Sequence, residues 1–221
     1  MPSDDVPERP KVAREPVVIA DWLASIGFES DDARAHARAT LEQAGLTNPR
    51  KRGMAQEKLT RARTLLDRQL RLLCASCAKN MTRPDKRTVV VTSQPYCTTC
   101  AGSNNRRAAE AMIAAFRRTG VGRLLVVGGT SAIHRELQAF VAGTDIDLRC
   151  IDGTERQPNR REAQADLKWA EVMVIWASTP LPHKVSTVYT SQCPPEVISL
   201  TVRRRGIEAL CLEVAERISS R

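Results

Sequence analysis

The chain has 221 residues, of which 42% are hydrophobic and only 4% aromatic, and its formal net charge is +9. This length suits one large domain or two modest ones, with a core built mainly from aliphatic side chains. The sequence contains no run of 18 apolar residues, which argues against a membrane-spanning helix. The polar, proline-rich amino terminus lacks the apolar segment of a secretion signal, so we expect a cytoplasmic protein with reduced cysteines.

The positive charge is concentrated in the middle of the chain. Residues 1–46 hold 5 Lys/Arg and 9 Asp/Glu, residues 47–88 hold 12 and 3, and residues 89–221 hold 17 and 13. The middle segment alone therefore carries a net charge of +9. Such a dense basic segment favours contact with nucleic acid or another polyanion, although a solvated helix face has the same composition.

The first third of the sequence predicts a disordered lead-in, residues 1–15, followed by helices. Residues 17–28 carry apolar side chains at helical spacing. Ser30, followed by two aspartates, is a typical N-cap for a second helix, which Gly45 would end. A third amphipathic helix is predicted over about 54–73, with leucines on one face.

Residues 16–73 are therefore predicted to form a helical region that is basic at its C-terminal end. As a hypothesis, six of its basic side chains contact nucleic-acid phosphates, which positions a partner without specifying its sequence. These six are Arg50, Lys51, Arg52, Lys58, Arg61 and Arg68. Short helices joined by tight turns are compatible with a helix-turn-helix-like DNA binder, and equally with a dimerisation or packing module.

Two Cys-x-x-Cys pairs follow, separated by nineteen residues, a spacing typical of zinc sites. We predict a structural zinc ion held by Cys74, Cys77, Cys97 and Cys100 in a zinc ribbon over residues 74–102, with the β-prone run between the pairs folded back as a hairpin. Four thiolates close the coordination sphere, so we expect no catalysis at the metal. One alternative is a disulfide staple, which a reducing compartment disfavours. The other is a redox-active pair, which usually opens a helix of a thioredoxin-like fold, whereas neither pair here follows a βαβ start.

Beyond the cysteines the pattern changes to strands alternating with helices. After a helix from about Ser103 to Gly120, the sequence predicts four further strands and four further helices. The predicted strands are 123–130, 146–154, 171–179 and 196–202, and the predicted helices are 131–142, 159–170, 182–192 and 206–218. This alternation predicts a parallel sheet with right-handed crossovers, hence an α/β fold with a small Rossmann-like domain in residues 103–221.

Polar residues follow the predicted strands, at the edge where an open parallel sheet binds ligands. Glycines after the first strand lead into a helix amino terminus, which favours a phosphate group. The candidate ligand-binding residues are Gly128, Gly129, Thr130, Ser131, Asp152, Ser178 and Arg203. Asp152 lies near the position of a ribose-binding acid, and His183 and Lys184 are the candidate catalytic residues. The same polar rim is also compatible with residues that merely complete the ends of the elements.

Three common nucleotide and hydrolase motifs are missing from the sequence. It has no G-x-G-x-x-G, no G-x-x-x-x-G-K-[ST] and no G-x-S-x-G, so binding of NAD or FAD, a P-loop ATPase and an α/β-hydrolase are all unsupported. The three remaining cysteines, Cys150, Cys193 and Cys211, are predicted to be small buried side chains.

Four stretches in the C-terminal part carry a family resemblance: "LLVVGG", "IDG", "AEVMVIWAS" and "PHKVSTVY". In these stretches, residues from about 123 to 218 resemble a widespread bacterial family of Rossmann-like domains of unknown function. Family members usually carry a Ser-His pair at the last stretch, where this chain has Pro182 before His183 and Lys184. The resemblance implies a Rossmann-like fold and assigns no activity. Residues 74–100 separately resemble a zinc ribbon.

These observations lead to three hypotheses. The favoured one is a zinc-stabilised, bacterial-type nucleic-acid-binding or regulatory protein whose Rossmann-like domain senses a nucleotide or docks a protein partner. The second is an enzyme acting on a nucleotide or phosphorylated substrate, with His183 as general acid/base, Lys184 and the Gly128-Gly129 loop as phosphate holders, and Asp152 as a ribose contact. The third is a structural subunit of a larger bacterial assembly or of a homo-oligomer.

Overall fold

The computed structural model is a mixed α/β structure, 52% helical, in which helices precede a four-stranded parallel sheet in the C-terminal part. It describes residues 15–82, 85–152, 158–177 and 181–220. The predicted α/β class with a small parallel sheet is confirmed. The predicted lead-in lies outside the described residues except for Glu15.

The chain divides into two compact units. The first consists of Met1–Leu72 and Asp85–Ser93, and the second of Leu73–Pro84 and Gln94–Arg221. The second unit therefore contains all four cysteines of the predicted zinc ribbon, because residues 74 and 77 lie in its first segment and residues 97 and 100 in its second.

The first unit packs three helices against two short strand pairs. Its elements are β1 (Val17–Val18), α1 (Ile19–Ser25), α2 (Asp31–Gln43), β2 (Gly53–Met54), α3 (Gln56–Gln69), β3 (Leu70–Leu73, whose last residue belongs to the second unit) and β4 (Thr88–Val91). Strand β1 pairs antiparallel with β2, and β3 pairs with β4. Leu23, Leu41, Leu66 and Val90 belong to one buried aliphatic core, which holds these elements together.

Local signals set both ends of α2 as predicted, whereas the starts of the other two predicted helices were wrong, because Val17–Val18 and Gly53–Met54 are short strands that precede α1 and α3. Ser30 Oγ accepts a hydrogen bond from Ala33 N at 3.1 Å, and Gly45 follows α2 at φ 67°. The predicted third helix was wrong at its end, because Leu70–Leu73 is a strand rather than the last turn of a helix. Pairing with Thr88–Val91 outweighs the high helix propensity of leucine and arginine, because propensity differences are small beside tertiary contacts.

The second unit carries the parallel sheet and most of the helices. Its elements are α4 (Ala75–Lys79), α5 (Asn104–Thr119), β5 (Arg123–Val127), α6 (Ser131–Val141), β6 (Asp147–Ile151), α7 (Arg160–Trp169), β7 (Val172–Trp176), α8 (His183–Ser191), β8 (Ile198–Val202) and α9 (Ile207–Ser219). All the strands predicted here are present, although the observed strands are shorter than the predicted ones.

The sheet has the order β6-β5-β7-β8, and all neighbouring strands are parallel. Successive residues of β5 alternate between two buried clusters: Leu124 and Val126 pack with α5, α6 and α9, whereas Leu125 and Val127 pack with α7 and α8. Helices therefore cover both faces of the sheet, as a buried parallel sheet requires. The direction of strand order reverses between β5 and β7, which defines the topological switch point.

Within the residues described, no helix has both the length and the apolar composition needed to span a bilayer.

Candidate functional site

The four cysteines of the two Cys-x-x-Cys pairs form one buried cluster that could hold a metal ion. Ligand atoms of Cys74, Cys77, Cys97 and Cys100 all lie within 4.8 Å of one another. The Sγ atoms of Cys74 and Cys100 are 3.9 Å apart. Four sulfurs around a metal ion at about 2.3 Å would be separated by about 3.8 Å in a regular tetrahedron. The sulfur positions therefore fit a tetrahedral thiolate site.

The first pair is presented by the short helix α4. Cys74 is the N-cap residue of this helix, and its carbonyl oxygen accepts a hydrogen bond from Ala78 N at 2.9 Å. Cys77 lies three residues further on, inside the helix. Because residues three apart in a helix share a face, this turn directs both thiols to one side.

The second pair lies on a tight turn that leads into α5. Ala101 N donates to Cys97 O at 2.9 Å, and Ser103 N donates to Cys100 O at 2.8 Å. Ala101 has φ 46° and is the only non-glycine residue with positive φ in the described part of the chain. Such a backbone conformation costs free energy in an alanine, and it persists here because the surrounding hydrogen bonds fix the turn.

Burial and backbone hydrogen bonds have opposite effects on the pKa values of these thiols. Burial raises the pKa of the Cys77 and Cys100 thiols. Burial also acts to raise the pKa of Cys97, but backbone N–H groups, including those of Cys100 and Thr99, outweigh it and lower the pKa to about 7. The Cys97 turn thus stabilises a thiolate, which is the form of cysteine that binds a metal ion.

A network of three polar side chains ties the second turn to the start of α5. Gln94 Nε2 donates to Gly102 O at 3.2 Å and to Asn104 Oδ1 at 3.1 Å. Arg107 donates from Nη1 to Gln94 Oε1 and from Nη2 to Asn104 Oδ1, both at 3.1 Å. This supporting network could not be predicted, because nothing in the sequence marks Gln94 as a partner of residues on the following helix.

At the carboxyl end of β5, the two glycines are required by close packing. A Cβ atom on Gly128 would collide with the backbone oxygen of Trp176, and one on Gly129 would lie 2.9 Å from the Trp176 ring. The buried His134 places Nε2 2.8 Å from Gly128 O. The described contacts of these glycines are all made to neighbouring parts of the fold, which supports a structural role for both.

Other predicted ligand-binding residues meet at the same edge of the sheet. Ser131 Oγ donates to Asp152 Oδ2 at 3.1 Å, which joins the segments that follow β5 and β6. Thr130 is the exposed N-cap residue of α6, and its side chain makes no cap hydrogen bond. Arg203 follows β8 and is exposed, whereas Ser178 lies outside the described residues.

The two candidate catalytic residues begin helix α8, and both are exposed. The imidazole Nδ1 of His183 is 2.9 Å from Thr187 Oγ1, one turn further along the same helix. Lys184 follows it at the surface. This described side-chain contact of His183 is local to its own helix, so the geometry gives no reason to assign it a catalytic role.

The six predicted nucleic-acid contacts, Arg50, Lys51, Arg52, Lys58, Arg61 and Arg68, are all exposed. We call them the basic surface. The turn that carries the first three is held in place from α2, because Arg38 Nη2 donates to the carbonyl oxygens of Asn48 at 3.1 Å and Lys51 at 2.8 Å. None of the six forms an ion pair within the described ranges.

No protein-family model matches the chain, and no curated protein or solved structure is significantly similar to it. The resemblance of residues 123–218 to a bacterial Rossmann-like family therefore stays a prediction. Function has to be argued from the cysteine cluster and from the charged surfaces themselves.

Proposed function

We propose that this chain is a zinc-stabilised nucleic-acid-binding protein. The buried cluster of four thiols carries the zinc part of the proposal. The exposed cations of the basic surface carry the nucleic-acid part, because none of them forms an ion pair with a carboxylate in the described residues.

Zinc is the metal that this donor set suits best. Four sulfur ligands in a tetrahedral arrangement are typical of structural Zn²⁺, and thiolates discriminate against magnesium and calcium. All four cysteines are buried, so the site offers no open position for a substrate. A four-thiolate site also needs reduced cysteines, which is consistent with the cytoplasmic location expected from the sequence.

The spacing of the basic surface suits a phosphate backbone. Lys58, Arg61 and Arg68 lie at helical spacing on α3, and Arg68 is ten residues beyond Lys58, a distance of about 15 Å along the helix axis. Phosphates of one strand recur every 3.4 Å or so along a duplex axis, so this span covers about four of them. Arginine is well suited to such contacts because its planar guanidinium donates two parallel hydrogen bonds to a phosphate.

For the C-terminal parallel sheet we propose a Rossmann-like regulatory role, either sensing a nucleotide or docking a protein partner. The hydrogen bond between Ser131 and Asp152 supports this part, because it joins polar residues at the carboxyl edge of β5 and β6. In open α/β sheets, ligands bind at this edge.

The experiment is binding of the zinc-loaded, full-length protein to labelled duplex DNA, single-stranded DNA and RNA over a salt series. We expect affinity to fall steeply with salt, with a slope of about 0.9 per phosphate contact on a duplex. The triple variant Lys58→Ala/Arg61→Ala/Arg68→Ala should weaken binding and lower that slope by about three contacts.

The matched control removes three exposed cations from α7 instead, as Arg160→Ala/Arg161→Ala/Lys168→Ala. It changes the net charge equally, so it should leave most of the binding intact if the basic surface makes the contacts. Equal losses in both triple variants, or no binding to any of the three nucleic acids at about 50 mM salt, would contradict the proposal.

A further inference from the structure

A groove in the second unit lies where α4 and α5 end. Its volume is about 490 Å³, within the range of small-molecule sites. It is lined by Lys79, Met81, Thr82, Arg117, Arg118 and Asp145. We call it the basic groove, because three of these six side chains are cations and one is an anion.

The basic groove contains an arginine whose donors are only partly used. Arg117 Nη1 donates to Thr82 Oγ1 at 3.3 Å, whereas Arg117 Nε is buried and lacks a hydrogen-bond partner among the described residues. The Nε atom lies 3.6 Å from Asp145 Oδ2, which is an ion pair without a hydrogen bond. The buried Nε faces Asp145, but the side chain as a whole is 28% exposed and lines the groove, so its outer nitrogens can donate to an anionic acceptor there.

A smaller, more apolar cavity adjoins the basic groove. Its volume is about 210 Å³, and it shares Arg117 and Asp145 with the groove. Its other walls include Phe116, Val121 and Ile146. An occupant of both spaces would place an anionic group beside the cations and a compact apolar group against these side chains.

We propose that the basic groove binds the phosphate group of a small phosphorylated ligand, with a mononucleotide as the class that fits. The base or sugar would occupy the adjoining cavity. Lys79, Arg117 and Arg118 supply the charge, and the arginines supply planar donors for phosphate oxygens. The carboxyl ends of α4 and α5 contribute up to about half a negative charge each and Asp145 one more, so the groove stays net positive.

This site differs from both parts of the proposed function. The smaller cavity is lined by Gly122 and Ile146, which precede β5 and β6, whereas the nucleotide edge considered above follows those strands. The basic surface belongs to the first unit, and the basic groove to the second. The two sites share no residue, so variants can be made in one without changing the other, and the two proposals can fail separately.

The test measures binding of adenosine 5′-monophosphate and of inorganic phosphate to the zinc-loaded, full-length protein by calorimetry. The side-chain Nε–H resonance of Arg117 is followed by NMR as a direct readout of the groove. We expect saturable 1:1 binding of the mononucleotide, a shift of that resonance, and weaker binding of phosphate alone. Arg118→Ala should weaken mononucleotide binding about tenfold, since it removes a charge-assisted hydrogen bond.

Two further variants test whether binding depends on the charge of the groove. Asp145→Asn removes the only carboxylate that lines the groove in the described chain, so it should strengthen binding. Arg135→Ala, an exposed change on α6 outside the groove, should leave binding unaltered. Circular dichroism and zinc content establish that each variant is folded.

Several outcomes would overturn the proposal. Absence of saturable mononucleotide binding at millimolar concentration would remove the site, and so would equal binding by the Arg118→Ala variant. Phosphate binding as tight as mononucleotide binding would refute the role of the apolar cavity. Binding in the groove by an oligonucleotide alone would assign it to a nucleic-acid backbone instead of a small ligand.

Discussion

Ala101 shows how a single residue of the cysteine turn can limit stability. Its φ of 46° lies in the left-handed region, which glycine adopts without cost. We expect Ala101→Gly to stabilise the zinc-loaded protein by about 0.5–1 kcal/mol, because relief of the strain outweighs the greater backbone entropy of glycine. Urea unfolding of the two proteins measures the difference.

The same substitution on a regular helix should have the opposite sign. Ala165 is exposed in α7, so Ala165→Gly should destabilise the protein by about 1 kcal/mol. If Ala101→Gly also destabilised the protein, the turn would not hold residue 101 in the left-handed conformation.

Glu171 provides a pH-dependent contact at the amino end of the sheet. Its Oε2 accepts hydrogen bonds from Gly122 N and Arg123 N, both at 2.9 Å. These contacts lower the pKa of the Glu171 carboxyl, and the hydrogen bond from Gly122 N makes the largest contribution. Burial raises this pKa, but by less than the contacts lower it. A carboxylate with a lowered pKa stabilises the fold at neutral pH, and this contribution disappears as the pH falls through the folded-state pKa.

We therefore expect Glu171→Gln to destabilise the protein by about 1 kcal/mol at pH 7, and by less at pH 4 and below. Urea unfolding of both proteins across this range gives the difference, which is unaffected by metal release common to the two. Glu216→Gln on α9 is the control, since its carboxylate has no described contact. A difference that stays constant with pH would show that the charge of Glu171 does not matter.

At the scale of elements, α5 begins directly on the second cysteine turn. Ser103 is the N-cap of α5: its Oγ accepts from Arg106 N at 3.2 Å, while its own N–H donates to Cys100 O at 2.8 Å. The helix end and the turn are thus joined at one residue. Removal of the Ser103 cap hydrogen bond is therefore expected to destabilise both the first turn of α5 and the cysteine turn.

We expect Ser103→Ala to reduce stability by about 1 kcal/mol, and Ser103→Asp to retain most of it, because aspartate also caps helices. Competition with a chromophoric chelator should further show faster zinc loss from the alanine variant. Equal stabilities of the alanine and aspartate variants would mean that the side-chain oxygen contributes nothing.

At the scale of the whole molecule, metal removal is expected to affect the second unit unevenly. The cluster connects two short segments, α4 and the turn before α5, in which the buried side chains are those of the cysteines themselves. Strands β5 and β7, in contrast, are buried between helices on both faces. In segments with so few other buried contacts, metal binding supplies much of the free energy that stabilises the folded state.

Hydrogen exchange with and without a chelator should therefore show lost protection in α4 and the Cys97 turn, and retained protection in β5 and β7. Lys79 and Thr82 follow α4's cysteine, so mononucleotide binding in the basic groove should weaken as well. Addition of zinc should restore both. An unchanged exchange pattern would contradict a structural metal, and loss of protection throughout would show that the sheet also depends on it.

Much of the fold could be predicted because its signals are local. The apolar runs of β5 and β7, the cap at Ser30 and the spacing within each Cys-x-x-Cys pair depend on neighbours within a few residues. Such patterns reflect backbone geometry, which short stretches of sequence determine. Only some of the predicted site residues come together in the structure. The four cysteines cluster and Ser131 contacts Asp152, whereas Ser178 lies outside the described residues.

The sequence by itself thus determined the α/β class, the order of the strands and helices in residues 103–221, and the four thiols that cluster. Only the tertiary structure decided that Leu70–Leu73 is a strand, that Gly128 packs against Trp176, and that Lys79 and Arg118 line one groove. The residues that meet in these features are separated by 15 to almost 50 positions along the chain. Packing of distant segments selects among local preferences that are individually weak, so no short stretch of sequence encodes them.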